Sequence, residues 1–170
     1  MHLGVIRTDG AGAADAALAR LAAGLAADGA RVIGAVQSRD GAGSCADEMR
    51  IRILPEGREL CISQDLGPGA DGCRLDAGAL EGAVAGLEAA FAAAGADLLI
   101  VNRFGKLEAE RRGFAALIAR ALEAGVPVLC GLTPKLEPAF ADFAAGLARD
   151  LPPDAGALAA WWAAARAEAA

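Results

Sequence analysis

Short runs of branched apolar residues alternate along the chain with longer segments in which apolar residues recur every three or four positions. Four such runs occur, at residues 3–8, 31–38, 97–101 and 126–132. They predict strands of a parallel sheet that is covered on both faces. The segments between them end at Gly29, Gly95 and Gly125 and predict helices, because glycine commonly follows the last helical turn. The first strand, helix and second strand form a β-α-β unit, which favours a right-handed crossover.

A different pattern occurs at residues 49–54, where apolar and charged residues alternate as MRIRIL. This alternation predicts a half-exposed strand, and ELCISQ after a Pro-Glu-Gly turn predicts its hairpin partner. We therefore predict a three-layer α/β fold with about four parallel strands and a hairpin inserted at residues 45–65. One domain is expected over residues 1–170, without an internal repeat.

Two helices are predicted after the last parallel strand. The first covers residues 138–151, with Phe140, Phe143 and Leu147 on one face, and Pro152-Pro153 ends it. The second covers residues 154–170 and carries Trp161 and Trp162. This last helix either packs on the core or forms a dimer contact.

Charge and composition exclude some classes of function. The net charge is −6 and the pI about 4.8, which argues against a nucleic-acid-binding protein with a basic surface. The chain starts without a signal-peptide pattern, and no apolar run approaches the roughly 20 residues that span a bilayer. We therefore expect a cytoplasmic protein with reduced cysteines.

The cysteines and the single histidine do not form a zinc pattern. The four cysteines are Cys45, Cys61, Cys73 and Cys130, without a C-x-x-C pair, and His2 is the one histidine. Cys61 and Cys130 fall within strand patterns, so we expect them to be small core residues.

The most informative segment follows the third apolar run. Asn102, Arg103, Gly105, Lys106 and Glu108 lie just past it, where open α/β sheets bind ligands. Arg103 offers a planar fork to an oxyanion and Lys106 a compact charge, so the segment is suited to an anion. Alternatively, Lys106 pairs with Glu110 four residues on, on a solvated helix.

The turn after the first strand is where a phosphate-binding loop would lie. A working loop reads GxxxxGK[ST], whereas this chain has Asp9 and Gly10 followed by AGAAD, without lysine or Ser/Thr at the helix start. Asp9 and Asp15 would repel phosphate, although the helix N-terminus offers free N–H groups. Two interpretations stay open, an ordinary tight turn and a residual ligand contact at Asp9 and Gly10.

A second candidate is the loop DLGPGADGCRLD at residues 65–76. Its glycines permit a close backbone approach to a ligand, and its length is typical of a functional loop. Cys73 beside Arg74 would be reactive and could ligate a soft metal, with Cys45 as a partner; the alternative is an inert loop cysteine. The candidate ligand residues here are Asp65, Gly67, Gly69, Gly72 and Arg74.

Three runs, VNRFGKLEAERRGF, ISQDLGPGADGCRLD and VPVLCGLTPKLEPAFADFAAGLA, resemble an uncharacterised bacterial family, a domain of unknown function. That family is associated with molybdate transport and molybdenum-enzyme genes, and the resemblance covers nearly the whole chain. It implies a role in molybdenum metabolism, with molybdate or molybdenum cofactor as ligand.

The order of elements is also similar to P-loop nucleoside-triphosphatases related to nucleotide kinases. In that group the corresponding strand ends in an acidic pair, followed by Ile-Gly-Lys and an acidic residue. Here Asn102 and Arg103 stand in place of the acids, while Gly105, Lys106 and Glu108 match the remainder. The resemblance implies a P-loop-like scaffold that has lost hydrolysis and keeps or changes a binding site.

We therefore predict a non-catalytic binding or carrier protein for an oxyanion or phosphate-bearing ligand. Arg103 and Lys106 would supply charge, Asn102 a hydrogen bond, and residues 67–74 would close over the ligand. One alternative is a divergent nucleotide-dependent hydrolase or transferase with Glu108 or Asp65 as base. Another is a homodimeric interaction module, formed through the last helix, for a transporter or molybdoenzyme assembly.

Overall fold

The structure is a computed structural model that describes residues 1–7, 12–38, 49–64 and 75–169. Within these ranges the strands are β1 (Leu3–Arg7), β2 (Val32–Gln37), β3 (Arg50–Leu54), β4 (Glu59–Cys61), β5 (Leu98–Phe104), β6 (Val128–Leu132) and β7 (Ala148–Asp150). They form one sheet in the order β4-β3-β2-β5-β6-β1-β7. β3 pairs antiparallel with both of its neighbours, β2 and β4, and all other neighbouring strands pair in parallel. The carboxyl ends of the parallel strands therefore meet at one edge of the sheet.

Helices cover both faces of this sheet. They are α1 (Ala13–Ala27), α2 (Ala77–Ala94), α3 (Lys106–Ala109), α4 (Ala115–Glu123), α5 (Glu137–Ala144) and α6 (Ala155–Ala169). α1 and α6 share one apolar core layer with the sheet, and α2, α4 and α5 share the other. The predicted three-layer α/β architecture, with a mainly parallel sheet and an inserted hairpin, is confirmed.

The prediction of one helix over residues 138–151 is wrong in its second half. α5 ends at Ala144, and Ala145 (φ 47°) and Gly146 (φ 81°) adopt the left-handed conformation, which a helix cannot continue through. Leu147 is exposed rather than inward-facing, and β7 then pairs with β1. Three residues at a sheet edge carry too little alternation to be recognised from sequence. With β7, the described residues contain five parallel strands instead of about four.

α2 is the one helix of the described residues that is long and apolar enough, by length and composition, to cross a membrane. Its sequence therefore comes nearer to a span than expected above. Leu80, Val84, Leu87 and Phe91 are buried in the core layer that α2 shares with the sheet, and Asp76 caps its first turn by accepting from the backbone N–H of Ala79. These contacts attach one face of α2 to the sheet.

α6 packs on the core through Leu158 and Trp161, which are buried against the α1 side of the sheet. Trp162 is half-buried, and its indole N–H donates to the backbone oxygen of Asp97 at 3.0 Å. Of the two alternatives for this helix, core packing is therefore present; dimerisation stays a prediction.

β5 and β6 are in regular register up to Val101 and Cys130, and the register shifts before Phe104 pairs with Leu132. Asn102 and Arg103 on β5 thus lie opposite the single residue Gly131 on β6, the arrangement of a β-bulge. A Cβ atom at Gly131 would overlap the carbonyl oxygen of Asn102. A glycine is therefore required where the bulge brings the two backbones together.

We expect Gly131→Ala to lower the free energy of unfolding by about 1–3 kcal/mol, the usual cost of overpacking a core position. Urea unfolding followed by circular dichroism measures this change. Gly24→Ala is the matched control, since a Cβ at this exposed α1 position meets nothing within 4 Å. The control should gain up to about 1 kcal/mol from helix propensity, and equal midpoints for the two variants would contradict the packing argument.

Candidate functional site

Asn102 lies at the carboxyl end of β5 and is buried. Its side-chain oxygen accepts the backbone N–H of Gln37 at 2.9 Å. Its side-chain nitrogen donates to Asp15 on α1 and to Gln37 on β2, both at 3.4 Å. The sequence predicted Asn102 as a ligand donor, whereas the structure uses its amide to join β5, β2 and α1.

Arg103 is ion-paired with Asp15 through its Nη2 atom, at 3.1 Å. The Asp15 side chain is only 5% exposed, whereas that of Arg103 is 46% exposed. Asp15 lies in the first turn of α1, where the helix dipole favours a negative charge. A guanidinium has five N–H donors in a planar fork, so the exposed part of Arg103 can approach an anion from the solvent side.

Lys106 is the more exposed cation at the end of β5. Its side chain is 73% exposed, and its Nζ atom lies 3.8 Å from Glu110 Oε1 four residues on. At this distance and exposure an ion pair contributes little. Lys106 therefore adopts the solvated i,i+4 pairing considered above, and a ligand could displace that pairing at small cost.

Glu108 is buried, and its carboxylate accepts one backbone N–H from a residue before it and one from a residue after it. Its Oε2 atom accepts the N–H of Gly105 and its Oε1 atom accepts the N–H of Phe114, both at 2.9 Å. A Cβ atom at Gly113 (φ 54°) would overlap Glu108 Oε1. Both carboxylate oxygens thus fix the segment around α3, which is a structural role and not that of an exposed general base.

A cavity of about 560 Å³ opens beside this segment, on the face of the sheet that α2 and α4 cover. Its polar end is formed by Gln37, Asn102, Arg103, Gly105, Lys106 and Glu108. Its apolar wall is formed by Ala35, Met49, Ile51, Ile62, Leu75, Leu80 and Phe114. The volume is in the usual range of small-molecule sites, about 300–1,000 Å³. The predicted cationic residues therefore border a mostly apolar cavity, which the sequence did not indicate.

The expectation that Cys61 and Cys130 are both core residues is confirmed for Cys130 and wrong for Cys61. Cys130 is buried, and burial together with the charge of Glu108 raises its thiol pKa, so it stays protonated and unreactive at neutral pH. Cys61 is exposed, with Sγ 3.1 Å from the hydroxyl of Ser63; the expectation for Cys61 is wrong because β4 is an edge strand. Within residues 1–7, 12–38, 49–64 and 75–169, no three His, Cys, Asp or Glu side chains cluster as metal ligands.

The carboxylate of Glu59 connects the hairpin to the residue that follows β2. The hydroxyl of Ser38 donates to Glu59 at 2.5 Å, and Arg52 contacts the same carboxylate at 3.3 Å. These two contacts, the first above all, lower the pKa of Glu59. The ionised carboxylate thus helps to keep the antiparallel strands against the parallel sheet.

Several predicted site residues lie outside the described residues: Asp9, Gly10, Cys45, Asp65, Gly67, Gly69, Gly72, Cys73 and Arg74. The described residues nearest to the 65–74 segment are informative. Ser63 and Leu75 form an antiparallel bridge, and Ile62 and Leu75 both line the cavity. The described residues that flank this segment thus border the cavity.

Sequence reasoning missed two residues of the site, Asp15 and Gln37. Asp15 was interpreted as repelling phosphate, whereas it is the buried partner of Arg103 and Asn102. An acidic residue in an otherwise apolar first helical turn was the available signal, because a buried carboxylate requires a donor or a cation nearby. Gln37, the last residue of a strand, carried no comparable signal.

The sheet order, the two helical layers and the site at the strand ends place this protein in the P-loop NTPase-like class of α/β folds. The crystal structure of THEP1 from the hyperthermophile Aquifex aeolicus is similar, with a TM-score of 0.62, 17% identity, and 91% of this chain and 90% of that chain covered. At this identity the likeness concerns the fold alone. In the first turn of α1, the carboxylate of Asp15 is paired with Arg103.

Residues 3–161 match the family described as protein of unknown function DUF2478, and the chain belongs to that family. A curated relative is the molybdenum import ATP-binding protein ModC 2 of Bradyrhizobium diazoefficiens, 38% identical over 150 residues. The match covers 87% of this chain but only 16% of that protein. The resemblance inferred from the sequence motifs is thus confirmed at the level of the family, its P-loop-like relation and its link to a molybdenum protein.

We expect Glu108→Gln to lower the free energy of unfolding by about 1–3 kcal/mol, because the amide nitrogen would face a backbone N–H that needs an acceptor. Thermal and urea unfolding measure the loss. Glu110→Gln is the control, with an exposed side chain in a loose ion pair, and should change stability by less than about 0.5 kcal/mol. Similar midpoints for both variants would contradict the capping role.

We expect Asp15→Asn to destabilise the protein by about 1–2 kcal/mol, because it removes the charge-assisted bonds to Arg103 and Asn102 and a favourable dipole interaction. The same substitution at Asp28, which is exposed at the carboxyl end of α1, removes a charge from the unfavourable end of the dipole and should be neutral or slightly stabilising. Urea unfolding of the pair tests the difference, and a loss at Asp28 as large as at Asp15 would refute it.

Proposed function

We propose that this protein binds, without transforming it, an oxyanion or phosphate-bearing ligand of molybdenum metabolism, such as molybdate or molybdenum cofactor. The observation that carries the proposal is the position of Arg103 and Lys106, two exposed cations that line a ligand-sized cavity. In this proposal both cations contact the anionic group. Asn102 and Asp15 fix the end of β5 from which Arg103 extends.

The absence of catalysis in this proposal is supported by what the reactive side chains do. Both oxygens of Glu108 accept backbone N–H groups, and the thiol of Cys130 is buried with a raised pKa. Asp15 is engaged by Arg103 and Asn102. A binding role leaves these contacts in place. Proton transfer or nucleophilic attack would require the same groups to give them up.

The link to molybdenum comes from the relative in Bradyrhizobium diazoefficiens. In it, a segment similar to this chain is part of a longer polypeptide named for molybdenum import and ATP binding. Segments that are joined in one protein commonly act on the same process in another. We therefore propose a molybdate-transport or molybdoenzyme component as partner, in the cytoplasm, while homodimerisation stays a separate prediction.

The first test is to identify what the freshly purified protein carries, by metal analysis and by mass spectrometry of released small molecules. We expect molybdenum or a phosphate-bearing pterin in a stoichiometric amount. A stoichiometric nucleotide that turns over with magnesium would overturn the non-catalytic proposal in favour of a nucleotide-dependent enzyme.

The second test uses isothermal titration calorimetry with molybdate and with molybdenum cofactor. Since hydrogen bonds to charged groups contribute about 1.5–3 kcal/mol each, we expect Arg103→Gln with Lys106→Gln to weaken binding at least about 30-fold. Arg20→Gln with Lys135→Gln removes the same number of charges from exposed positions away from the cavity and should leave affinity within about twofold. Equal affinities for the two double variants would refute the site.

A further inference from the structure

We infer that the ligand is an organic anion with an apolar body and a single anionic group, and that the body occupies the cavity between the sheet and α2. The inference rests on the proposed function for the anionic end alone. It excludes a bare oxyanion as the whole ligand, because such an ion has no apolar body.

The size and the apolar wall of the cavity support a ligand with an apolar body. A tetrahedral oxyanion would fill a small part of about 560 Å³ and would leave the apolar wall in contact with water. Met49, Ile51, Leu80 and Phe114 come from separate parts of the chain, namely the hairpin, α2 and the start of α4. A wall assembled from these separate elements is suited to burying apolar surface of a ligand, which the hydrophobic effect favours.

The charges at the polar end of the cavity support a ligand with a single anionic group. Arg103 and Lys106 each lie beside a carboxylate, Asp15 and Glu110 respectively, and the buried Glu108 also lines the cavity. Among the described residues, this end therefore carries two positive and three negative charges. A polyphosphate would add several negative charges here, whereas a single sulfonate or carboxylate adds one, which Arg103 and Lys106 can contact.

The experiment uses the environment-sensitive dye 1-anilinonaphthalene-8-sulfonate, an aromatic body with one sulfonate, and its neutral counterpart N-phenyl-1-naphthylamine. We expect one sulfonated dye molecule per protein, with a blue-shifted and enhanced emission. Arg103→Gln should weaken the sulfonated dye at least about tenfold and the neutral dye less than twofold. Equal loss for both dyes, or several dye molecules per protein, would overturn the inference.

Filling the cavity provides a second, independent measurement. Met49→Trp, at a half-buried position, and Leu80→Trp should each weaken both dyes at least about tenfold. Leu147→Trp adds the same ring at an exposed position that does not line the cavity and should leave both dyes unaffected. Unchanged dye affinity in Met49→Trp, with native circular dichroism, would overturn the inference even if Leu80→Trp fails to fold.

Titration with molybdate and with inorganic phosphate separates this inference from the proposed function. If either ion binds through Arg103 and Lys106 with the same affinity in wild type and Met49→Trp, and the sulfonated dye does not compete, the ligand-class inference is wrong and the proposed function stands. If neither the ions nor the dye respond to Arg103→Gln, both are wrong. Mutual competition, with the dye alone sensitive to Met49→Trp, is the expected result.

Discussion

The buried carboxylate of Asp15 is the interaction on which the geometry of this site depends. It sits at the start of α1, receives an amide from Asn102 and a guanidinium from Arg103, and is almost inaccessible to water. A buried carboxylate that loses its donors is costly, so Asn102 and Arg103 both stabilise Asp15 in this position. The first helix and the central strand β5 are thereby fixed to each other at the edge of the sheet where the parallel strands end.

The sheet divides the molecule into two layers with different tasks. On one face α1 and α6 cover the sheet with apolar side chains, including Leu158 and Trp161. On the other face the hairpin, α2 and the segment before α4 surround the cavity. The polar residues at the end of β5 lie between the two layers, since Asn102 both bonds to α1 and lines the cavity. A ligand at the cavity would therefore contact the same residues that bind α1 to the sheet.

Sequence patterns predicted the fold well where burial is two-sided or alternation is clear. The apolar runs of β2, β5 and β6 and the alternation of β3 required no tertiary information. β7 was missed because its three residues follow a helix whose apolar spacing continues through Leu147, and the break at Ala145 depends on a conformation that alanine rarely adopts.

The candidate site could be predicted by position but not by role. The tip of β5 was identified because polar residues follow a buried strand there. Asn102 and Glu108 turned out to bond to the protein itself, since which donors lie near a side chain depends on long-range contacts such as Asp15, which is 87 residues from Asn102 in sequence. The apolar cavity was equally inaccessible to sequence reasoning, because its wall combines side chains from separate elements.

The bulge in β5 explains how two consecutive residues reach one carboxylate. In a regular strand neighbouring side chains point to opposite faces, and Asn102 and Arg103 would then be unable to share Asp15. The extra residue of the bulge interrupts this alternation. Gly131 provides the space for it on the adjacent strand. We therefore expect positions 15, 102, 103 and 131 to vary together among relatives. In a relative that has a side chain at position 131, the bulge should be absent, and the shared carboxylate and the cation at the cavity should have changed with it.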